Sequence, residues 1–127
     1  MPQSGPEKVR ILVAEDDPAI AELLQTVLSL WGYEVETRPD GESALARALQ
    51  GGFAALLIDY QMPLLTGLDV LRRLREAGRP VPAVLMSGYL VETLARDCAS
   101  VPGVRILPKP FTLVALQEAL RGAAGSA

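Results

Sequence analysis

The sequence contains no histidine and a single cysteine among its 127 residues. An intrachain disulfide is therefore excluded, as are a zinc site of Cys and His ligands and a catalytic pair of the Ser-His or Cys-His type. Any chemistry must rely on carboxylates, hydroxyls, lysine, arginine or a bound metal ion. The cysteine, Cys98, lies in a helix-like stretch and is predicted to be a small packing residue.

The chain also lacks a basic run and a long apolar run, and its formal net charge is −3. Without clustered Lys and Arg, direct binding to nucleic acid or to an anionic membrane is not expected. No stretch approaches the roughly 20 apolar residues of a membrane span, and the first ten residues show no signal-peptide core. We therefore expect a cytoplasmic protein.

Short apolar runs alternate with helical patterns along the whole chain. Strands are predicted at residues 9–14, 33–37, 54–58, 83–86 and 104–107. A helix pattern follows each run, and this alternation predicts an α/β fold with a parallel sheet covered on both faces. We expect the strand order 2-1-3-4-5, in a domain spanning residues 9–122 with a flexible tail at 1–8 and a short tail at 123–127.

Helix ends and helix faces follow from particular residues. Asp17 is predicted to cap the first helix, with Pro18 in its first turn. Thr112 is predicted to cap the last helix. Its inward-facing residues are expected to be Leu113, Leu116 and Leu120. A third helix at 67–77 carries arginines 72, 73 and 75, which we interpret as a solvated face rather than a nucleic-acid patch.

Reactive side chains directly follow four of the five predicted strands. Carboxylates follow strand one and strand three, a hydroxyl follows strand four and a lysine follows strand five. Ligands of open α/β sheets bind beyond the carboxyl ends of the strands, so we expect these side chains to meet. For any one strand, a polar residue that simply begins a loop is the simpler explanation. The five residues are Glu15, Asp16, Asp59, Ser87 and Lys109.

The lysine and the carboxylates together indicate phosphoryl chemistry. The chain has ten arginines and only two lysines, so a lysine at position 109 favours a site that needs a compact point charge. Three carboxylates around one lysine require a further cation or a proton, and oxygen ligands of this kind suit Mg²⁺. A carboxylate can accept a phosphoryl group, which Ser87 and the N–H of Gly88 could bind by hydrogen bonds.

The motifs ILVAEDDP, LLIDYQMP followed by TGLDVL, LMSGY and LPKPF resemble the receiver domain of two-component response regulators, over residues 9–121. The resemblance implies a flavodoxin-like (βα)5 fold and a phosphoryl group taken by Asp59 from a phosphohistidine. The donor would be a sensor histidine kinase or a histidine phosphotransfer domain. A downstream protein target is also implied, as is a possible homodimer through helix four, strand five and helix five.

The resemblance further implies a role for each site residue. Mg²⁺ would be held by Asp16, Asp59 and the backbone carbonyl of Gln61, and Glu15 would act on the metal through water. Ser87 and Lys109 would hold the phosphoryl group and report its arrival. A cis Lys109–Pro110 peptide bond is also expected.

This chain departs from the family pattern at three positions. Ile106 stands where the family has a switch aromatic, and bulky Gln61 and Tyr89 occupy positions that tune phosphate lifetime. Isoleucine is stiff at χ1 and has no hydroxyl, so it cannot replace the aromatic. We therefore predict that the loop 87–91 and the start of helix four carry the switch, with Tyr89 the most displaced side chain. A Tyr89 that only covers the site and slows water entry is equally compatible with the sequence.

Two alternative functions fit part of the sequence. An aspartyl phosphatase of the haloacid-dehalogenase type also uses a carboxylate nucleophile, but its motif follows the first strand, where this chain has EDDPA. A degenerate receiver that only binds partners would not need the complete set of five site residues. Because only GAAGSA follows the last helix pattern, we expect either a single-domain regulator or a receiver from a hybrid kinase or longer regulator.

Overall fold

The computed structural model describes residues 8–88 and 91–124. Five strands alternate with five helices, as the sequence predicts. The strands are β1 (Arg10–Ala14), β2 (Glu34–Arg38), β3 (Ala55–Asp59), β4 (Ala83–Ser87) and β5 (Val104–Pro108). The helices are α1 (Pro18–Leu30), α2 (Gly41–Leu49), α3 (Gly67–Glu76), α4 (Val91–Cys98) and α5 (Leu113–Ala124). Within the described ranges, no helix is both long and apolar enough to cross a membrane.

All five strands are parallel and lie in the order β2-β1-β3-β4-β5, which confirms the predicted topology. β1 and β3 are neighbours, with Ala14 paired to Ile58. On the other side of β3, Asp59 is paired to Met86 of β4. The carboxyl ends of β1, β3 and β4 therefore meet at one edge of the sheet, where side chains from separate parts of the sequence come together.

The sheet separates two hydrophobic clusters. Successive residues of β1 face opposite sides, as in any strand, so Leu12 belongs to one cluster and Val13 to the other. The first cluster contains residues of α2, α3 and α4, and the second contains residues of α1 and α5. Both faces of the sheet are thus covered. β3 and β4 are buried at every position because helices lie above and below them.

The predicted helix caps are present. The side chain of Asp17 accepts a hydrogen bond from the backbone N–H of Ala19 at 2.9 Å, and Pro18 is the first residue of α1. The hydroxyl oxygen of Thr112 accepts one from the N–H of Ala115 at 3.0 Å. Each cap satisfies a donor that the helix itself leaves unpaired, and each fixes where its helix begins.

The prediction for the inner face of α5 is correct for two leucines and wrong for the third. Leu116 and Leu120 are fully buried, whereas Leu113 is 57% exposed. Leu113 is the first residue of α5, and a helix end has fewer neighbours to pack against than the turns that follow, where Leu116 and Leu120 lie. At its other end the helix includes Ala123 and Ala124, which pack against the second cluster although the sequence places them in a tail.

The arginines of α3 differ in their surroundings. Arg72 and Arg73 are exposed, as predicted for a solvated face. Arg75 is half-buried, and its Nε and Nη2 donate hydrogen bonds to the carbonyl oxygen of Pro102 at 3.1 and 2.8 Å. Arg75 therefore connects α3 to the loop between α4 and β5, and the interpretation of this residue as simply solvated is wrong.

Candidate functional site

Four of the residues predicted from the strand ends lie together at the carboxyl edge of the sheet. Carboxylate oxygens of Glu15, Asp16 and Asp59 are all within 4.8 Å of one another. The ammonium nitrogen of Lys109 lies 3.2 Å from Oδ2 of Asp59. We call the three carboxylates the acidic cluster. The acidic cluster and Lys109 come from the ends of three different strands, and the topology brings them together.

Asp59 is the last residue of β3 and not the first residue of the following loop, so the sheet itself fixes its backbone. It is only 6% exposed. Its Oδ1 accepts a long hydrogen bond, 3.4 Å, from the backbone N–H of Gln61, while Oδ2 contacts Lys109. A buried carboxylate needs such partners to offset the loss of its contacts with water, and here a cation and a backbone donor supply them.

Glu15 is more deeply buried, at 2% exposure, and is only partly satisfied. Its Oε2 accepts a hydrogen bond from the backbone N–H of Asp17 at 3.1 Å, but its Oε1 is buried and has no hydrogen-bond partner. Burial, together with the negative charge of Asp59, raises the pKa of Glu15 to about 7 despite the opposing hydrogen bond from the backbone of Asp17. Charge is therefore held here at a free-energy cost, as in sites that receive a cation.

Ser87 and Lys109 lie side by side at the ends of β4 and β5. Ser87 is buried, and its carbonyl oxygen accepts a hydrogen bond from the backbone N–H of Lys109 at 2.8 Å. Ser87 follows Met86, the pairing partner of Asp59, so it stands one step along the neighbouring strand. Space around Gly88 is open, since a Cβ there would meet nothing within 4 Å. The Lys109–Pro110 peptide bond is cis, as the resemblance implies.

An open cleft of about 410 Å³ lies next to the end of β3, since Tyr60, the residue after Asp59, is part of its wall. Most of its wall is the loop between β3 and α3, and one wall residue belongs to the acidic cluster. Gln61, exposed at the surface, is part of this wall. The cleft is large enough for a small phosphorylated molecule or a phosphorylated side chain. Its lining residues are Asp16, Tyr60, Gln61, Met62, Pro63 and Thr66.

Gly67 holds this loop close to the end of β3, a role that the sequence analysis did not assign to it. Its N–H donates to the carbonyl oxygen of Tyr60 at 2.8 Å, and a Cβ at this position would collide with the carbonyl oxygen of Asp59. Thr66 then caps α3 by exchanging hydrogen bonds with Asp69, each 3.1 Å long. The pair Thr-Gly ahead of a helix pattern is the sequence signal that could have indicated this.

The acidic cluster fits a hard divalent cation that takes oxygen ligands. Three carboxylates converge and Glu15 keeps an unpartnered buried oxygen, while the single lysine contacts Asp59. Mg²⁺ prefers few protein carboxylates and completes its shell with water and phosphate oxygens. Asp17 is not part of the cluster because its side chain caps α1. The residues present therefore fit Mg²⁺.

Comparisons with known proteins agree with this geometry. The sequence model of the response regulator receiver domain matches residues 11–121. The response regulator MprA of Mycobacterium bovis (strain BCG / Pasteur 1173P2) is 40% identical over 120 residues, which cover 89% of this chain and 49% of that protein. The chain thus spans about half the length of the curated relatives it matches.

Solved structures show the same fold. The chemotaxis protein CheY4 of Vibrio cholerae superposes with a TM-score of 0.84 at 26% identity, covering 92% of this chain and 99% of that one. The receiver domain of the sensor histidine kinase PA1611 from Pseudomonas aeruginosa, solved with magnesium coordinated in its active-site cleft, gives 0.81 at 30% identity, covering 94% and 100%. This chain belongs to the response regulator receiver domain family.

Proposed function

We propose that the domain accepts a phosphoryl group on Asp59 from the phosphohistidine of a sensor histidine kinase or a histidine phosphotransfer domain, in a Mg²⁺-dependent reaction. One observation carries the proposal. Asp59 is a buried carboxylate of the acidic cluster, a lysine lies 3.2 Å from one of its oxygens, and its neighbours Asp16 and Tyr60 line an open cleft. A purely structural ion pair would need neither the cleft nor two further carboxylates.

In the proposed reaction a carboxylate oxygen of Asp59 forms a bond to phosphorus while the bond from phosphorus to the imidazole nitrogen breaks. The imidazole leaves with the electron pair and is protonated by solvent. Lys109 offsets negative charge on the transferred group, and the Ser87 hydroxyl and Gly88 N–H donate hydrogen bonds to its oxygens. The side chains therefore act by position and charge.

Mg²⁺ would be held by Asp16, Asp59 and the backbone carbonyl of Gln61, with Glu15 acting through water. The bound ion would neutralise charge that the acidic cluster and the phosphoryl oxygens otherwise share. The unpartnered oxygen of Glu15 and the convergence of the three carboxylates support this assignment.

Phosphorylation is proposed to change a protein-binding surface that a downstream target, or a second copy through α4, β5 and α5, would recognise. The predicted switch loop is 87–91. Its central residues, Tyr89 and Leu90, lie outside the described residues, so this prediction stays a prediction. Ile106 is half-buried and packs against the first cluster, without the polar group that a rotating aromatic could exchange. Amide exchange with and without a phosphoryl mimic tests it, and changes confined to residues 105–107 would contradict it.

Intact mass measured after incubation with acetyl phosphate and Mg²⁺ tests the acceptor directly. The expected result is a single phosphoryl adduct that EDTA prevents and that Asp59→Asn does not acquire. Asp97→Asn, which alters an exposed carboxylate on α4, is the matched control and should acquire the adduct normally. An adduct formed by Asp59→Asn at the wild-type rate would contradict the assignment.

The two alternative functions make different demands on the site. A haloacid-dehalogenase-type phosphatase needs its nucleophile after the first strand, whereas the lysine here contacts the carboxylate that ends β3. A receiver that only binds partners would give no adduct under any phosphodonor. We propose that the domain acts in the cytoplasm.

A further inference from the structure

Leu64 adopts a backbone conformation that leucine rarely adopts. Its φ is +73°, and the N–H of Leu65 donates to the carbonyl oxygen of Pro63 at 2.8 Å. This is a γ-turn of the strained, positive-φ form. Within residues 8–88 and 91–124, every other residue with positive φ is a glycine, namely Gly32, Gly51, Gly52, Gly78 and Gly103.

The side chain of Leu64 gains little from the protein's own packing, since it is 81% exposed. Glycine at this position would relieve the backbone strain and remove an apolar surface from water. A leucine therefore strains the backbone and gains almost no burial on folding in return. Strain of this kind that the surrounding structure holds in place indicates a function, and an exposed apolar side chain is suited to contact with another molecule.

Two contacts within the protein hold the turn in place. Leu65, the next residue, is buried and packs so closely against Gly41 of α2 that a Cβ there would collide with it. Two residues after Leu65, the backbone N–H of Gly67 donates a hydrogen bond to the carbonyl oxygen of Tyr60. Leu64 is thus presented by a fixed loop, five residues from the acceptor Asp59, next to the cleft wall formed by Met62 and Pro63.

The position of Leu64 distinguishes two kinds of phosphodonor. Leu64 does not line the cleft, whereas Asp16 of the acidic cluster does, so a small phosphorylated molecule that enters the cleft does not need to touch Leu64. A protein that presents a phosphorylated side chain must lay its surface over the rim of the cleft, because Asp59 is almost fully buried. We propose that Leu64 is a docking contact for the protein that delivers the phosphoryl group. The proposal rests on the proposed function and names the rim residue that its protein donor would use.

Phosphorylation by two donors, one small and one protein, tests the proposal. Acetyl phosphate with Mg²⁺ is the small donor. The protein donor is the autophosphorylated cytoplasmic portion of whichever histidine kinase, in a purified panel, phosphorylates the wild-type domain fastest. Leu64→Gly keeps the turn and removes the side chain, and Leu64→Met keeps the apolar bulk. Leu30→Ala is the matched control, because Leu30 is 80% exposed at the far end of α1.

For Leu64→Gly we expect the protein donor's kcat/KM to fall about tenfold, mostly through KM, and the rate with acetyl phosphate to stay within about twofold of wild type. Its melting temperature should equal or exceed that of the wild type. Leu64→Met and Leu30→Ala should behave as wild type with both donors. Unchanged transfer from the protein donor would overturn the proposal, as would equal slowing with both donors. If the wild type takes phosphate from neither donor, the proposed function itself fails.

Discussion

Two clusters of charged side chains differ in how completely their charges are paired. In the acidic cluster, Glu15 leaves one buried oxygen without a partner, and its burial raises its pKa to about 7. The second cluster, which we call the arginine cluster, surrounds Glu36 on β2. Its members are Glu34, Glu36, Arg10, Arg38 and Arg47.

Glu36 is paired from several directions. Its Oε2 accepts hydrogen bonds from Nε of Arg47 at 2.6 Å and from Nη2 of Arg38 at 2.7 Å. These bonds, that from Arg47 above all, hold the pKa of Glu36 below its usual value. The guanidinium groups of Arg10 and Arg47 also lie 4.5 and 5.2 Å from the ring centre of Phe53. Arg38 and Arg47 therefore satisfy the Glu36 carboxylate, and the atom that this cluster leaves buried without a hydrogen-bond partner is Nε of Arg38, a donor and not a carboxylate oxygen.

The difference in how the carboxylates are paired indicates which cluster has a role beyond stabilising the fold. Where a carboxylate finds its partners inside the protein, as Glu36 does, charge contributes to stability. Where three carboxylates converge with one lysine, as in the acidic cluster, the negative charge is not fully compensated within the described residues, and this arrangement favours a bound cation. Mutations at the two clusters should therefore act in opposite directions.

The largest effect is expected from Asp16→Ala, which should weaken Mg²⁺ binding about 100-fold, or roughly 2.7 kcal/mol. Asp17→Ala, one residue on, should leave Mg²⁺ affinity within about twofold because Asp17 caps α1 and is not part of the acidic cluster. Isothermal titration with MgCl₂ measures both. Equal losses would mean that the metal ligand within the triplet has been assigned to the wrong residue.

Glu15→Gln should raise the free energy of unfolding in EDTA by about 1–2 kcal/mol at pH 8, since it removes a buried charge beside Asp59. The folded pKa of Glu15 is about 7, above its ordinary 4.5. The cost of its charge is therefore complete above pH 7 and disappears as pH falls toward 4.5. Urea unfolding at pH 8 and pH 4 should show the gain shrinking toward zero. A loss of stability at pH 8 would contradict this description of the site.

Glu36→Gln should act in the opposite direction and lower the free energy of unfolding by about 0.5–1 kcal/mol at pH 7. Because its folded pKa is lowered, Glu36 contributes stability above its ordinary pKa and loses that contribution as pH falls through the folded value. The same urea series measures it, with and without Mg²⁺. If the loss of stability caused by Glu36→Gln depended on Mg²⁺, the two clusters would be coupled.

The smallest effect on stability is expected from Lys109→Ala, under about 0.5 kcal/mol in the presence of Mg²⁺. The lysine side chain is about one-third exposed, so water replaces much of its interaction with Asp59. Phosphorylation by acetyl phosphate should nevertheless fall, because the charge beside Asp59 is lost. A variant that fails to fold would instead make Lys109 part of a structural ion pair.

The sequence predicted the features that leave a local pattern in it, namely the strands, their terminal polar residues and the helix caps. Apolar runs ending in a polar residue located the strands and Asp59, and a Ser/Thr/Asp residue ahead of a helix located the caps. The strand order then followed from which ends had to meet, and the structure confirms it. These signals depend on neighbours within a few residues along the chain.

What the sequence did not predict depends on distant partners or on a single torsion angle. Arg47 meets Glu36 across 11 positions, and Arg75 meets Pro102 across 27, so neither pairing leaves a local pattern. Leu113 has the spacing of an inward residue, but that spacing does not show that the first residue of the helix lacks neighbours to pack against. The positive φ of Leu64 could not be predicted from the sequence, because leucine ordinarily avoids positive φ.

The single thiol has a practical consequence. Cys98 ends α4 and is buried, and burial raises its pKa, as does the nearby charge of Asp97. Alkylating reagents react with the exposed thiolate, so labelling requires this end of α4 to open transiently. Because the chain has no second cysteine to compete, the rate of labelling reports how often this end of α4 opens. The unmodified protein thus carries its own probe of α4 dynamics.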